Sequence, residues 1–189
     1  MHDQAMAWFT KHATTDPVTV LDIGGRNING TPRHLFPNAT VWTALDIREG
    51  DDVDIVADAA TWIPDRTWDV VVCAETFEHT AAWRAIIRTA WTACKPGGRF
   101  IVTTAAPGRF PHSAVDGAGL RDGEHYANIR PGELERVLLD AGWVDVVVDV
   151  QQDPDDVRAV ATKPRPAELA AHLTMTAEVM VTHADGSTE

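Results

Sequence analysis

Little in this chain points outside the cell or into a membrane. Only two cysteines occur among 189 residues. Cys73 lies in an apolar, strand-like run and Cys94 near a helix end. Two thiols so placed make neither a disulfide framework nor a metal site, and they read as reduced core residues. No apolar run approaches the roughly 20 residues that span a bilayer, so no transmembrane helix is expected. The opening residues, Met1-His2-Asp3-Gln4-Ala5-Met6, lack the basic and apolar regions of a secretory signal. The expectation is a cytoplasmic protein.

Basic charge is scarce as well. Lys and Arg number 16 against 28 Asp and Glu, for a net charge of −12. A long nucleic-acid footprint needs a basic face that displaces counterions, so nucleic acid is not an expected partner. Internal repeats, low-complexity segments and a second domain are missing, and no pattern specifies an oligomer. A chain of this length folds as one domain with a sizeable core. Its 44% apolar and 23% charged residues are ordinary for a globular protein. The expected domain is 1–166, followed by a C-terminal helix and flexible tail over 167–189.

Against these absences stands one stretch, Val18-Thr19-Val20-Leu21-Asp22-Ile23-Gly24-Gly25-Arg26-Asn27-Ile28-Asn29-Gly30. An apolar, β-branched run stops at Asp22, and glycines and asparagines follow. Thr31-Pro32-Arg33-His34-Leu35-Phe36 can then start a helix, with Thr31 as cap and Pro32 in the first turn. Open α/β sheets use such strand–turn–helix junctions to present backbone N–H groups to a ligand.

The rest of the chain alternates in the same way. A helix is expected over 1–15 and strands over 18–23, 40–47, 53–57 and 67–74. The continuous run Val70-Val71-Val72 suits a strand buried on both faces. A helix over 80–94 and a strand over 99–104 follow. Residues 105–128 have no period and are rich in Gly, His, Pro and Asp; loops of that length are commonly functional lids. A helix over 131–141 and strands over 143–150 and 157–162 complete the pattern. The polar turn between the last two strands is too short for a parallel crossover, so they should pair antiparallel. The fold class is α/β, a doubly wound seven-stranded sheet whose last strand is antiparallel.

The Asp22-Ile23-Gly24 turn resembles motif I of the class I S-adenosylmethionine (SAM)-dependent methyltransferases. Arg26 stands where that motif's second glycine is usual, and Gly30 comes late, after Asn29. Ala74-Glu75-Thr76-Phe77-Glu78-His79 is similar to the E-x-x-E-H form of motif IV. Cys94-Lys95-Pro96-Gly97-Gly98 resembles the L-K-P-G-G turn before strand five, with Cys in place of Leu. The order and spacing of these motifs cover roughly 18–162. The resemblance implies a Rossmann-like methyltransferase fold and SAM as cofactor. It assigns Asp22, Gly24, Gly25, Asn29 and Gly30 to the cofactor turn and Asp46 to the ribose hydroxyls, with Ile47 beside it. Asp58 and Ala59 fall to the adenine, and Glu75 and Thr76 to the methionine end.

Methyl transfer from a sulfonium asks mainly for alignment of nucleophile, methyl and sulfur. An acceptor hydroxyl or protonated amine also needs a base within reach. The insert supplies His112, Asp116, Glu124, His125 and Tyr126. His125 is the expected base, with His112 and Tyr126 lining the acceptor pocket; for His125 and Tyr126 the alternative is that they anchor the insert. His79 is balanced between capping the next helix and serving the site. No cluster with metal-ligand spacing stands out. No Asn-Pro-Pro-Tyr or Asp-Pro-Pro-Tyr follows strand four and no Pro-Cys nucleophile appears, which disfavours amino and cytosine-C5 methylation of the kinds those motifs serve. The expected reaction is methylation of a small molecule or glycan, on oxygen. Two other readings are a non-catalytic SAM-binding or interaction module and a nicotinamide-dependent oxidoreductase. The second is opposed by the absence of G-x-G-x-x-G and by the terminal hairpin.

Overall fold

The structure, a computed structural model, describes residues 2–168. Seven strands form one sheet: β1 (Val18–Ile23), β2 (Ala39–Asp46), β3 (Ile55–Val56), β4 (Trp68–Ala74), β5 (Cys94–Ala105), β6 (Val144–Gln151) and β7 (Asp156–Thr162). Their order across the sheet is β3-β2-β1-β4-β5-β7-β6. The first five are parallel, while β7 pairs antiparallel with both β5 and β6. The short turn after β6 enforces its antiparallel pairing with β7, as the sequence implied.

Alternation along the central strands sends side chains to two cores. Val20, Val70, Val72 and Ile101 face one way and pack with Trp8 and Phe9 of α1 (Asp3–His12) and with Phe36. Leu21, Ile23, Val71, Cys73, Phe100 and Val102 face the other way. They meet Ile86, Ile87 and Ala90 of α2 (Trp83–Ala93) and Leu134 and Leu138 of α3 (Pro131–Asp140). A period of two in the strands and of 3.6 in the helices produces this layering. Both cysteines are buried and free.

Several boundaries differ from expectation for local reasons. The helix expected over 31–36 is a single 3-10 turn, Pro32–Leu35. Thr31 caps it through its hydroxyl, which accepts from the Arg33 N–H at 3.2 Å, and Pro37 leaves no length for an α-helix. The helix expected from Thr80 begins at Trp83, because Phe77–His79 forms a separate 3-10 turn. Strand β5 starts at Cys94, before the Pro-Gly-Gly turn, because Cys94 pairs with Trp68 ahead of a register shift. Most of the helix expected after Ala167, and the tail beyond it, fall on 169–189, outside the described residues. Among the described residues no helix is long and apolar enough to cross a membrane.

Candidate active site

The C-terminal ends of β1, β2 and β4 open onto one cleft of about 1100 Å3. Parallel strands aim their carboxyl ends the same way, so the acids that end them converge there. The insert after β5 supplies the opposite wall, with Arg109, Phe110, His112 and Gly117 among its lining residues. The volume accommodates a nucleoside-sized cofactor with a second molecule beside it.

Asp22, near the end of β1, is 2% exposed. Burial, and then the charges of Asp46 and Asp52, push its carboxyl up to about 7. Gly24 turns the chain with φ of +75°, a conformation that glycine reaches without strain. The N–H groups of Gly24 and Gly25 both donate to the Leu45 carbonyl, at 2.8 and 3.1 Å. These amides therefore tie β1 to β2 instead of facing a ligand, contrary to the usual reading of a glycine-rich turn. Gly30 donates its N–H to Asn27 Oδ1 at 3.0 Å. Asn29 sits against the insert, where a Cβ on Gly117 would lie 3.2 Å from its Nδ2. Arg26 Nη2 also reaches the insert and donates to the Ala114 carbonyl at 2.9 Å.

Asp46 ends β2 and accepts the Arg48 N–H at 2.9 Å. Ile47 beside it is 64% exposed at the cleft edge and presents an apolar face. Asp58 lies just beyond β3 and accepts the Ala60 N–H at 2.9 Å. Asp46, Ile47, Asp58 and Ala59 all line the cleft. Two carboxylates flanking an apolar surface suit a ribose and a flat heteroaromatic ring, so these residues fit adenosine.

Beyond β4, Glu75 adopts φ of +49°, costly for a side-chain-bearing residue. Its carboxylate lies 3.5 Å from His2 Nε2 and 3.7 Å from Arg109 Nη2. The same two cations meet Asp156, which is fully buried at the start of β7; His2 Nε2 lies 2.9 Å from it and Arg109 Nη1 bonds it directly. Burial would raise the Glu75 pKa, but His2 above all, then Thr103 and Arg109, bring it below the ordinary range. Burial would lower the His2 pKa, but hydrogen bonding to Asp156 and Glu75 raises it to about 9. His2 and Arg109 thus face the two carboxylates Glu75 and Asp156 beside the cleft.

Next to this network, His79 and His112 line the cleft and Tyr126 packs on both. The two histidine rings meet edge to face at 4.9 Å. Burial, then the neighbouring His112, pushes His79 down to about 4, so it is neutral in the physiological range. Burial, then the charge of Glu75, pushes Glu78 up to about 8. Burial, and then the charge of Glu78, pushes the Tyr126 hydroxyl up.

The expectation that His125 stands at the reacting centre is not met. His125 is exposed and does not line the cleft. The segment after Gly123 runs alongside the sheet, its Ala127 N–H donating to the Glu78 carbonyl and Ile129 to Ala105. Burial alternates along it: 125 and 127 face solvent, while 126, 128 and 129 face inward. Tyr126 accordingly reaches the histidine cluster and anchors the insert without lining the cleft. Glu124 is engaged within the insert, accepting from Ser113 Oγ at 2.8 Å and from the Arg121 N–H at 3.0 Å. Asp116 pairs with Arg121. His2 and Arg109 went unnoticed in the sequence because neither belongs to a motif: His2 caps the first helix and Arg109 lies in the aperiodic insert, and each is brought in from far along the chain.

A strand order of 3-2-1-4-5-7-6 with an antiparallel seventh strand, and a cleft at the strand ends, define the class: a SAM-dependent methyltransferase of the class I fold. The same topology excludes the nicotinamide-dependent oxidoreductase reading. The chain belongs to the methyltransferase-domain family, which residues 4–148 match. Among solved structures it is similar to DhpI in complex with S-adenosylhomocysteine, with 26% identity, a TM-score of 0.59, and 78% of this chain and 77% of that one covered. It is also similar to the 1,6-didemethyltoxoflavin-N1-methyltransferase of Burkholderia thailandensis, with 17% identity, a TM-score of 0.63, and 86% and 77% covered. A third is the glycopeptide N-methyltransferase MtfA, with 17% identity, a TM-score of 0.59, and 85% and 89% covered. The search of curated proteins finds no match.

Proposed function

We propose that residues 1–166 form a single catalytic domain, working in the cytoplasm, that moves the methyl group of SAM to a small-molecule or glycan acceptor, with a hydroxyl oxygen as the accepting atom. One observation carries the cofactor reading. Asp22, Asp46, Asp58 and Glu75 mark the ends of four neighbouring strands around one cleft. Asp46 accepts the ribose hydroxyls, and Ile47 and Ala59 cover the adenine whose amino group Asp58 receives. Asp22 and Glu75 face the ammonium end, in the turn that Gly24, Gly25, Asn29, Gly30 and Thr76 shape.

Bound SAM supplies an activated methyl group and a neutral leaving group. The chain's own task is to hold an acceptor in line with it and to exclude water. Phe110, 86% exposed at the mouth of the cleft, offers an apolar surface for the acceptor. His79, kept neutral, and His112 line the wall beside it and can accept the hydrogen bond of an acceptor hydroxyl. His125, outside the cleft, has no part in this.

Isothermal titration of the folded protein with S-adenosylhomocysteine tests the cofactor reading, and absence of heat from binding would overturn it. Incubation with methyl-labelled SAM and panels of hydroxyl and amine acceptors tests the accepting atom. Label on amines alone would replace oxygen by nitrogen. Binding without label on any acceptor in a broad extract would leave a SAM-binding module.

A further inference from the structure

From the convergence of Glu78, His79 and His112 we infer a binding site for one divalent first-row transition ion, such as Zn2+ or Mn2+, in the wall of the acceptor pocket. One carboxylate oxygen of Glu78 and one ring nitrogen from each histidine lie within 4.8 Å of one another. Two imidazoles with one carboxylate suit a borderline metal ion better than Mg2+ or Ca2+, which prefer oxygen.

Three features separate this cluster from chance proximity. Glu78 is fully buried, and its Oε2 accepts from Thr104 Oγ1 at 2.7 Å, while its Oε1 is buried with no hydrogen-bond partner among the described residues. His79 Nδ1 is likewise buried without a partner. An unmatched buried polar atom is costly, and a ligand bound between the two would relieve both. Finally, His112 Nδ1 lies 3.2 Å from the Phe110 carbonyl. A proton on Nδ1 donated to that oxygen leaves Nε2 with the free lone pair, the way metal-ligating histidines are usually oriented. Thr104 does the same for the Glu78 carboxylate.

His79 and His112 line the cleft, so the ion's open positions face the acceptor. His125 is outside the cleft, and an ion held by Glu78, His79 and His112 would take the task the base was expected to perform. Such an ion would polarise an acceptor hydroxyl so that its proton could pass to solvent, and the oxygen would then bond the methyl carbon while the carbon–sulfur electron pair returned to sulfur. This role rests on the methyl-transfer reading; the site itself rests on geometry alone.

The test uses untagged full-length protein stripped with a chelator and titrated calorimetrically with Zn2+ and, separately, Mn2+. One equivalent of at least one ion per chain is expected. Absorption of the Co2+-loaded protein in the visible range should report nitrogen ligation. His112→Ala should weaken the binding by roughly tenfold or more and leave S-adenosylhomocysteine affinity unchanged. Glu78→Gln should do the same where it folds, and the partly exposed His112 keeps the test decisive where it does not. No stoichiometric binding of either ion by folded wild-type protein, or equal affinity in His112→Ala, would overturn the site. S-adenosylhomocysteine binding without metal binding sinks this inference and spares the methyltransferase reading. Metal binding without S-adenosylhomocysteine binding does the reverse.

Discussion

Gly24 and Thr76 interlock: a Cβ on Gly24 would stand 2.1 Å from Thr76 Oγ1. The turn after β1 and the turn after β4 therefore touch across the floor of the cleft, with no room for a side chain between them. Gly24 also holds φ of +75°. The first requirement is steric and the second conformational, and they can be separated.

Gly24→Ala should lower unfolding free energy by about 2–4 kcal/mol, from left-handed strain together with overpacking. Adding Thr76→Ala should return the overpacking part, about 1–2 kcal/mol, and not the strain. Urea denaturation of both variants measures this. Additive losses would mean that the turns do not press on each other.

Asp46→Ala should weaken S-adenosylhomocysteine binding by about 1–3 kcal/mol, the cost of leaving polar partners unmatched. Asp46 is half-buried at a strand end, away from both cores, so the melting temperature should move little. Titration calorimetry gives the affinity, and an unchanged value would remove Asp46 from the ribose position.

Cofactor affinity should depend on pH through Asp22. Its carboxyl titrates at about 7 instead of 3.8 because it is buried and then because Asp46 and Asp52 repel its charge. An ammonium group binds the ionised form better, so affinity should rise as pH climbs through about 7 and then level off. Between the two pKa values the folded state holds the extra proton, so the same group makes stability fall as pH rises. Asp22→Asn should flatten both slopes, and a wild-type affinity with no pH step in this range would refute the assignment.

The His2 contact has the opposite origin and the same sign. Its folded pKa is raised from 6.5 to about 9: burial lowers it, but hydrogen bonds to Asp156 and Glu75 outweigh that. The stabilisation is complete below pH 6.5 and is lost as pH rises through about 9. Its size should be roughly 1–2 kcal/mol, since the imidazole is partly solvated. Denaturation of wild type and His2→Gln should therefore differ near neutral pH and converge in alkali. Parallel curves across that window would remove His2 from the network.

The sheet and the convergence of its strand-end acids on one cleft were legible in the sequence because both depend on local pattern. The Val70-Val71-Val72 run announced a strand covered on two faces. The short turn before Asp156 forced an antiparallel pair. Asp22, Asp46 and Asp58 had to converge once the strands were parallel, since a strand's end fixes where its last side chain lies. The wall that the insert supplies obeys no such rule. Whether His125 or its neighbour Tyr126 faces inward depends on one residue of register in an aperiodic segment, set by Ala127 and Ile129 bonding to Glu78 and Ala105. The network beside Glu75 depends on His2, Arg109 and Asp156 coming together from three distant parts of the chain. Periodicity encodes which face of an element is buried; contacts between loops arise only when the folded sheet brings them within reach, and there tertiary structure alone decided.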